Sequence, residues 1–361
     1  MKKLLWINLL AGVLLLAACC KQAKEAGTTG ATPSKAKNVS AAESNDLSVV
    51  APAPSGKLPH QTDDADAPVV YFTRDISAAG LLKVYQAMGW QPTGKVGVKI
   101  STGEPPASNY LRPELIKDLV QYLNGTIVEC NTAYGGSRAA SAMHHQVVKD
   151  HGFLDIAPFD LLDEEGTLEL PIANGKHLKA DVTGSHFRNY DSYLVLSHFK
   201  GHAMAGFGGA IKNLSIGFGS GNVDSAVSGK ALIHSGGKSE KNPWGGEQIA
   251  FLESMCEAAW VICDSLNHYE NVAFVNVMNR LSVDCDCNGH PEEPDMHDLG
   301  IVASRDPLAI DQCSIDMVYS RPDSAKLRAR IERQQGLHTL DYGAQFKVGR
   351  RNYRLVNIDE L

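Results

Sequence analysis

Residues 95–130 read KVGVKISTGEPPASNYLRPELIKDLVQYLNGTIVEC and decide the class of fold. Residues 95–100 alternate in polarity and predict a strand. Residues 113–123 are typical of a helix with proline in its first turn. Residues 126–130 predict a second short strand. This succession of strand, helix and strand indicates one unit of an α/β sheet.

The same alternation continues on both sides of this stretch. Further strands are predicted at residues 69–72, 193–196, 272–277 and 299–303, and further helices at residues 77–90, 137–149, 246–266, 307–319 and 324–334. Residues 154–182 are locally rich in β-forming residues and indicate a small insertion. Residues 68–361 are therefore expected to form one large α/β domain. Its sheet would be open and mostly parallel, with helices on both faces and a β-rich insertion.

The first residues resemble a bacterial lipoprotein signal. Lys2 and Lys3 precede an apolar run that ends at Ala17-Ala18-Cys19. This pattern predicts a signal peptide over residues 1–18, cleavage before Cys19 and acylation of its thiol. An ordinary signal peptide with a chance cysteine is the alternative. Residues 19–67 are rich in Ala, Ser, Thr and Pro and predict a flexible tether.

We therefore expect an exported lipoprotein anchored to a membrane, at the outer membrane or the periplasmic face if the host is diderm. The 361 residues include 34 Lys and Arg against 41 Asp and Glu, a net charge of -7. No basic excess is present to neutralise phosphates, so no nucleic-acid partner is expected. Since only the N-terminal segment is hydrophobic enough to enter a bilayer, a polytopic membrane protein is excluded.

Polar motifs follow five of the predicted strands, and in open α/β sheets ligands bind beyond the carboxyl ends of strands. If the strands are parallel, all five loops meet at one rim. An antiparallel strand would remove its loop from that rim. The loops comprise residues 101–104, 131–138, 197–202, 284–287 and 304–307.

The loop after residues 193–196 carries the densest set of reactive groups. His198, Lys200 and His202 place two imidazoles and an ammonium within five residues. Histidine titrates near neutral pH, so these three residues are the candidates for acid–base catalysis and anion binding. A glycine-rich turn with solvated charges is the alternative.

The same loop continues through Gly206, Gly208 and Gly209 to Lys212 and Asn213. Glycines let backbone N–H groups approach a ligand closely. A helix is expected to start near Gly208, and its N-terminus would favour an anion. These five residues are candidates for contacting a cofactor or a small anionic ligand.

A second candidate ligand contact lies between Asn131 and Arg138. Ser137 is the expected N-cap of the following helix, and Arg138 could fix a carboxylate or phosphate there. Simple capping is the alternative interpretation.

The motif Asp284-Cys285-Asp286-Cys287 is a candidate metal site. Two thiols at this spacing do not bridge each other easily without strain, so both are expected to face one soft metal, or one points inward while the other packs. The flanking carboxylates add oxygen ligands. An acidic surface loop with packed cysteines is the alternative. With Cys19 acylated, seven cysteines remain, and an odd number leaves at least one thiol free or bound to metal.

The chain resembles the uncharacterised iron–sulfur-centre protein family, also called domain of unknown function 362. The motifs that carry the resemblance are residues 111–114, 131–138, 198–214, 284–287 and 306–312. Many members of that family carry a ferredoxin-like insert with two four-cysteine motifs. Residues 228–244 occupy that place here and contain no cysteine. A [4Fe–4S] cluster is therefore not expected in this member.

A shorter stretch, from His202 to Lys212, is similar to the segment of lactate-racemase-type enzymes in which a histidine helps to bind a nickel cofactor. The resemblance implies that His202 contacts a metal or a metal-containing cofactor.

Two functions stay open. The first is an enzyme, or an enzyme-like domain, that binds a metal or metal-containing cofactor and a small anionic substrate at the rim. The second is a non-catalytic lipoprotein module that captures a small ligand or metal for a redox or metallochaperone partner. Signatures of kinases, zinc proteases and α/β-hydrolases are absent from the sequence.

Overall fold

The computed structural model describes residues 49–221 and 226–361. The predicted signal peptide, the acylated Cys19 and the tether through residue 48 lie outside the described residues. Within the described ranges, no helix combines the length and the apolar character needed to cross a bilayer.

Twelve strands are present in the described part of the chain. They are β1 (Val69–Thr73), β2 (Val96–Lys99), β3 (Thr126–Glu129), β4 (Phe159–Leu161), β5 (Thr167–Pro171), β6 (Ala180–Gly184), β7 (Ser192–His198), β8 (Lys200–His202), β9 (Gly206–Gly208), β10 (Val272–Met278), β11 (Gly300–Ser304) and β12 (Arg354–Asn357).

Nine α-helices accompany them in the same residues. They are α1 (Ala78–Met88), α2 (Pro113–Tyr122), α3 (Ser141–Asp150), α4 (Ala210–Ser215), α5 (Gly229–His234), α6 (Gln248–Ser265), α7 (Pro307–Tyr319), α8 (Ala325–Arg333) and α9 (His338–Gln345).

The main sheet has eight strands in the order β12-β1-β11-β10-β7-β2-β3-β4. Strands β10, β7, β2, β3 and β4 are parallel to one another. Two small antiparallel pairs, β5–β6 and β8–β9, lie outside this sheet. The predicted open, mostly parallel sheet is confirmed, and the β5–β6 hairpin overlaps the predicted β-rich insertion.

The central strand β7 explains why helices cover both faces of the sheet. Successive side chains of a strand point to opposite faces. Tyr193 and Val195 join the core that contains α6 and α7. Leu194 and Leu196 join a separate core with α1 and α2. Every residue of β7 is buried, and residues 193–196 within it are continuously apolar, as is typical of parallel central strands.

Strand β11 is antiparallel to both of its neighbours, β1 and β10. Its following loop therefore lies at the opposite end of the sheet, where Arg305 donates to the carbonyl of Val272 at the start of β10 (3.0 Å). The condition that all five strands are parallel fails at β11, so residues 304–307 do not join the other four loops. Asp306 instead caps α7 by accepting from the backbone N–H of Leu308 at 2.9 Å and of Ala309 at 2.8 Å.

Helix α3 begins at Ser141, four residues after the predicted start, and Ser137 is not its N-cap. The backbone N–H of Ser137 donates to the carboxylate of Glu104. Gly136 adopts a φ of +139°, a conformation that favours glycine. These two features hold residues 135–138 as a loop beside the sheet.

The packed part of the chain begins earlier than predicted. Residues 49–67 were assigned to the tether, but Ala51 and Leu58 are buried. Ala51 donates to the carbonyl of Asp298 (2.8 Å), and Thr62 donates to that of Tyr353 (2.8 Å). Isolated side chains and backbone hydrogen bonds hold this segment against the domain. Such an attachment requires no periodic apolar pattern in the sequence.

Candidate functional site

A cavity lies at the carboxyl ends of β2, β3, β7 and β10. Backbone hydrogen bonds join the loops around it: Glu104 donates to Asp286 (2.7 Å), and Gly201 donates to Ser282 (2.8 Å). Four of the five predicted loops therefore meet at one rim. The polar and reactive side chains that line the cavity are Lys99, Ser101, Glu129, Cys130, Thr132, Tyr134, Arg138, Ser197, His198, Lys200, His202, Lys212, Asn213, Lys230, His234, Cys285, Asp286 and Cys287.

Asp286 is the centre of a buried charged cluster on one wall. Its carboxylate accepts from Lys200 Nζ (2.7 Å) and lies 2.8 Å from His198 Nδ1. Burial alone would raise the pKa of Asp286, but Lys200 and His198 bring it well below its usual range. The carboxylate is therefore ionised and engaged with its two partners.

His198 has both ring nitrogens occupied. Nδ1 faces the Asp286 carboxylate, and Nε2 lies 2.7 Å from the carbonyl oxygen of Asn279. Each ring nitrogen therefore has an oxygen partner within the protein. The geometry gives His198 a role in holding Asp286 and leaves neither ring nitrogen free for a ligand.

Two further lysines on the cavity wall have no carboxylate partner among the described residues. Lys99 Nζ donates to the carbonyl of Ile100 (2.6 Å) and to Asn213 Oδ1 (3.1 Å). Lys230 Nζ donates to the carbonyl of Gly219. Burial lowers the pKa of Lys99 to about 8, although Glu129 acts in the opposite direction.

Lys212 lies on α4 and differs from the other lysines. The structure gives its ammonium no hydrogen bond and no ion pair with any described residue, and the side chain is partly open to the cavity. Burial, together with the nearby Lys200, lowers its pKa to about 7.

The ring of His202 is held in one tautomer. Its Nδ1 accepts from the backbone N–H of Ala205 (2.9 Å) and of Met204 (3.2 Å). Burial and the cationic neighbours Lys212 and Lys200 bring its pKa well below the usual value, so the ring is neutral. Its proton therefore resides on Nε2, which makes that nitrogen a hydrogen-bond donor.

His234 presents the opposite tautomer in the same cavity and was not predicted. Its Nδ1 lies 2.8 Å from the carbonyl oxygen of Lys230 and donates to it. The ring stacks on Phe251 with centroids 5.1 Å apart. Burial lowers the pKa of His234 to about 4, although the Lys230 carbonyl acts in the opposite direction. Nε2 of His234 therefore carries a lone pair.

Cys285 and Cys287 form a disulfide, so the expectation that they do not bridge each other was wrong. Their Cα atoms are 5.2 Å apart, within the range of ordinary disulfides. The side chain of the intervening Asp286 is fixed by His198 and Lys200.

His202, Cys285 and Cys287 each offer a potential ligand atom, and these atoms lie within 4.8 Å of one another. Soft metals bind thiolates, so the sulfur pair fits such a metal in its reduced form and not as a disulfide. Asp284, by contrast, faces Arg330 at 3.5 Å and accepts from the backbone N–H of Glu292 at 3.0 Å. Its carboxylate does not line the cavity.

The glycine-rich loop supplies close packing at the cavity floor. Gly208 and Gly209 line the cavity, whereas Gly206 lies outside its lining. Helix α4 begins at Ala210, and its first N–H groups donate to Asp311, from Ala210 at 2.7 Å and from Ile211 at 2.9 Å. The predicted anion position at this helix N-terminus is therefore occupied by the protein's own carboxylate.

The remaining predicted contacts are engaged within the protein. Asn213 Nδ2 donates to Ser197 Oγ (3.1 Å), and the Asn213 amide fixes Lys99. Asn131 lies outside the cavity lining and contacts Asp163 at 2.9 Å through its backbone N–H. Arg138 lines the wall, but its guanidinium is committed to internal hydrogen bonds. Its acceptors are Glu129, Glu104, Ser101 and Tyr134.

Comparison with solved structures gives two examples of remote similarity. The lactate racemase apoprotein from Thermoanaerobacterium thermosaccharolyticum has 15% identity and a TM-score of 0.34, covering 61% of this chain and 55% of that one. A protein from Thermotoga maritima has 11% identity and a TM-score of 0.39, covering 70% of this chain and 58% of that one. The chain thus spans little more than half the length of either structure.

No curated protein matches the chain. The family model described as Domain of unknown function (DUF362) matches residues 96–316, which include the four rim loops and more than half of the 361 residues. The chain therefore belongs to the DUF362 family.

Proposed function

We propose that this protein binds a small anionic ligand, carrying carboxylate or phosphate groups, in the cavity at the rim. One observation carries the proposal: the buried cations on the cavity wall outnumber the buried carboxylates. Arg138 is paired with Glu129, and Lys200 with Asp286. The lysines left over are the buried Lys99 and Lys230 and the partly buried Lys212.

Removing one partner of a buried ion pair destabilises a protein by ~3–5 kcal/mol, because the other charge is left unpaired. Lys99 and Lys230 are buried beside the cavity without a salt-bridge partner among the described residues, and their burial costs stability. An anion of complementary charge bound in the cavity would offset that cost. His202, with its Nε2 proton, adds a neutral donor.

Calorimetric titration of the mature protein with inorganic phosphate and with oxalate tests this proposal. Lys230→Met keeps the length of the side chain but removes one cavity charge, so we expect at least ~10-fold weaker binding. The matched control is Lys238→Met, which removes an exposed lysine that pairs with Glu247. Equal affinity in both variants, or no binding by the wild type, contradicts the proposal.

A second candidate function is supported by the ligand atoms of His202, Cys285 and Cys287 within 4.8 Å. In the dithiol form, the two sulfurs would hold a soft metal ion or a metal-containing cofactor. Such a metal supplies Lewis acidity toward the bound anion. His202 as held would offer a proton to a ligand, so the thiolates would be the principal ligands.

An enzyme and a non-catalytic capture module would both bind the anion in the cavity. They differ in what happens to the anion after it binds. NMR of candidate anions incubated with substoichiometric protein distinguishes them. Conversion of the ligand supports an enzyme. Unchanged ligand transferred to a second protein supports a module that serves a redox or metallochaperone partner.

We also propose that the protein is exported and anchored through a lipid on Cys19, as the N-terminal pattern predicts. Metabolic labelling with a fatty acid tests this. Incorporation is expected in the wild type and lost in Cys19→Ser, and labelling that persists in the variant contradicts it.

A further inference from the structure

Lys212 is the least satisfied of the four cavity lysines. Lys99, Lys200 and Lys230 each donate to at least one oxygen atom of the protein. Among residues 49–221 and 226–361, Lys212 Nζ has no such acceptor. Its amine is therefore available to a molecule in the cavity.

The stem of Lys212 is nonetheless held in place. A Cβ added at Gly208 would lie 3.1 Å from Lys212 Cδ, so the stem passes directly over this glycine. The start of α4 is fixed by Asp311, which accepts from Ala210 and Ile211. The fixed helix α4 and the nearby Gly208 direct the Lys212 side chain into the cavity. Neither of them supplies a hydrogen-bond acceptor for Lys212 Nζ.

The surroundings of Lys212 make its ammonium easier to deprotonate. Lys200, Lys99 and Lys230 act against its positive charge, and Asp286, itself bonded to Lys200, acts in the opposite direction. His202 also faces this group and is neutral. Burial, reinforced by Lys200, lowers the pKa of Lys212 to about 7. Lysines placed beside other cations in desolvated sites serve as nucleophiles in this way.

We propose that Lys212 is a nucleophilic residue that forms an imine with a small carboxylated aldehyde or ketone bound in the cavity. This inference rests on the proposed function, because the carboxylate of the same molecule is the anion that Lys99 and Lys230 would hold. It adds the chemical class of the ligand, a carbonyl compound, and the residue with which it reacts.

The step balances without an oxidant or reductant. The Lys212 nitrogen lone pair attacks the carbonyl carbon, a C–N bond forms, and one nitrogen proton is transferred to the former carbonyl oxygen. Loss of water from this carbinolamine leaves the C=N bond. His202 Nε2–H and the lone pair of His234 Nε2 provide a donor and an acceptor in the lining of the same cavity for these proton movements.

Reductive trapping tests the inference. The mature protein is incubated with glyoxylate and sodium cyanoborohydride near neutral pH, and adducts are located by intact mass and peptide mapping. We expect one principal adduct per chain at Lys212, formed at least ~10-fold faster than at the exposed Lys57. Lys212→Arg should lose this adduct, whereas Lys238→Arg should retain it. Thermal denaturation establishes that both variants are folded.

Oxalate separates this inference from the proposed function, since it has carboxylates but no reactive carbonyl. If oxalate binds but glyoxylate labels Lys212 no faster than Lys57, the inference is overturned and anion binding stands. If oxalate fails to bind and Lys212 is also not labelled, both are overturned. Preferential labelling of Lys212 that excess oxalate suppresses is the result expected from both.

Discussion

Arg138 donates a hydrogen bond of 2.8 Å to Glu129, and both side chains are almost completely buried in the cavity wall. Glu129 also accepts from the backbone N–H of Thr102 (3.0 Å) and lies 3.1 Å from His144 Nε2. The pair thus ties the loops after β2 and β3 to α3. Its place in the molecule indicates that it positions the rim.

Breaking this pair should destabilise the fold. In Glu129→Gln the buried Arg138 loses one of its two carboxylate partners and keeps Glu104 as the other. We therefore expect a loss of about 3 kcal/mol in the free energy of unfolding. Urea denaturation measures it. The control is Glu164→Gln, whose carboxylate forms a partly exposed pair with His145 and should change stability by less than about 1 kcal/mol.

The Arg138–Glu129 pair also makes the free energy of unfolding depend on pH. Burial alone would raise the pKa of Glu129, but Arg138 and His144 bring it well below its ordinary value. The stabilising contribution is therefore present above the unfolded-state pKa and is lost as the pH falls through the folded-state value. Acid unfolding of Glu129→Gln should show a smaller loss of stability than the wild type, and parallel curves would contradict this account.

Two adjacent glycines should respond differently to substitution. A Cβ at Gly208 would lie 3.1 Å from Lys212 Cδ, at the end of a flexible side chain. We expect Gly208→Ala to fold and to bind anions several-fold more weakly. A Cβ at Gly209 would lie 2.2 Å from an Asp311 oxygen that is fixed by the start of α4. Gly209→Ala should therefore be strongly destabilised, and comparable melting temperatures for the two variants would refute the packing described here.

Anion affinity should decrease as the pH rises. Burial lowers the pKa values of Lys212 and Lys99 to about 7 and about 8. Both ammonium groups are charged below these values and lose their charge as the pH passes through them. Calorimetric titration with oxalate between about pH 6 and about pH 9 should show at least a ~10-fold loss of affinity. A constant affinity across this range would show that these lysines do not face the ligand.

Metal binding should depend on the redox state of Cys285 and Cys287. The oxidised protein should retain no Zn²⁺ after dialysis, and the reduced protein should retain about one ion per chain, since thiolates are the ligands. Cys287→Ala should abolish retention, and His202→Ala should weaken it less. Cys263→Ala, which removes a buried free thiol elsewhere, is the control. Elemental analysis measures the bound Zn²⁺. Retention of Zn²⁺ by Cys287→Ala would overturn the assignment of Cys287 as a metal ligand.

Six of the eight strands of the main sheet and most helices were predictable because their patterns are local. The apolar run of β7 and the proline that opens α2 define these elements within a few residues. The direction of β11 was not predictable, since a buried strand has the same pattern of side chains whichever way it runs. The packing of residues 49–67 was not predicted, because Leu58 and Ala51 are isolated buried residues and do not form a periodic apolar pattern.

The site was predictable only where several reactive residues follow one strand. His202 and Lys212 belong to one dense loop, and the structure brings both to the cavity. His234 and Lys230 were missed because α5 has six residues, too few for a helical pattern. Arg138 was interpreted as a ligand contact because its partners, Glu104 and Glu129, lie on other loops and cannot be paired with it from spacing.

The reversal of β11 has a practical consequence for measuring binding. The amino ends of β2, β7 and β10 lie at the end of the sheet remote from the cavity, together with the loop that contains Arg305. Gln91, just before β2, is exposed at that end. A thiol introduced there, as Gln91→Cys, would let the protein be immobilised on a sensor surface or carry a fluorophore with its cavity facing solution.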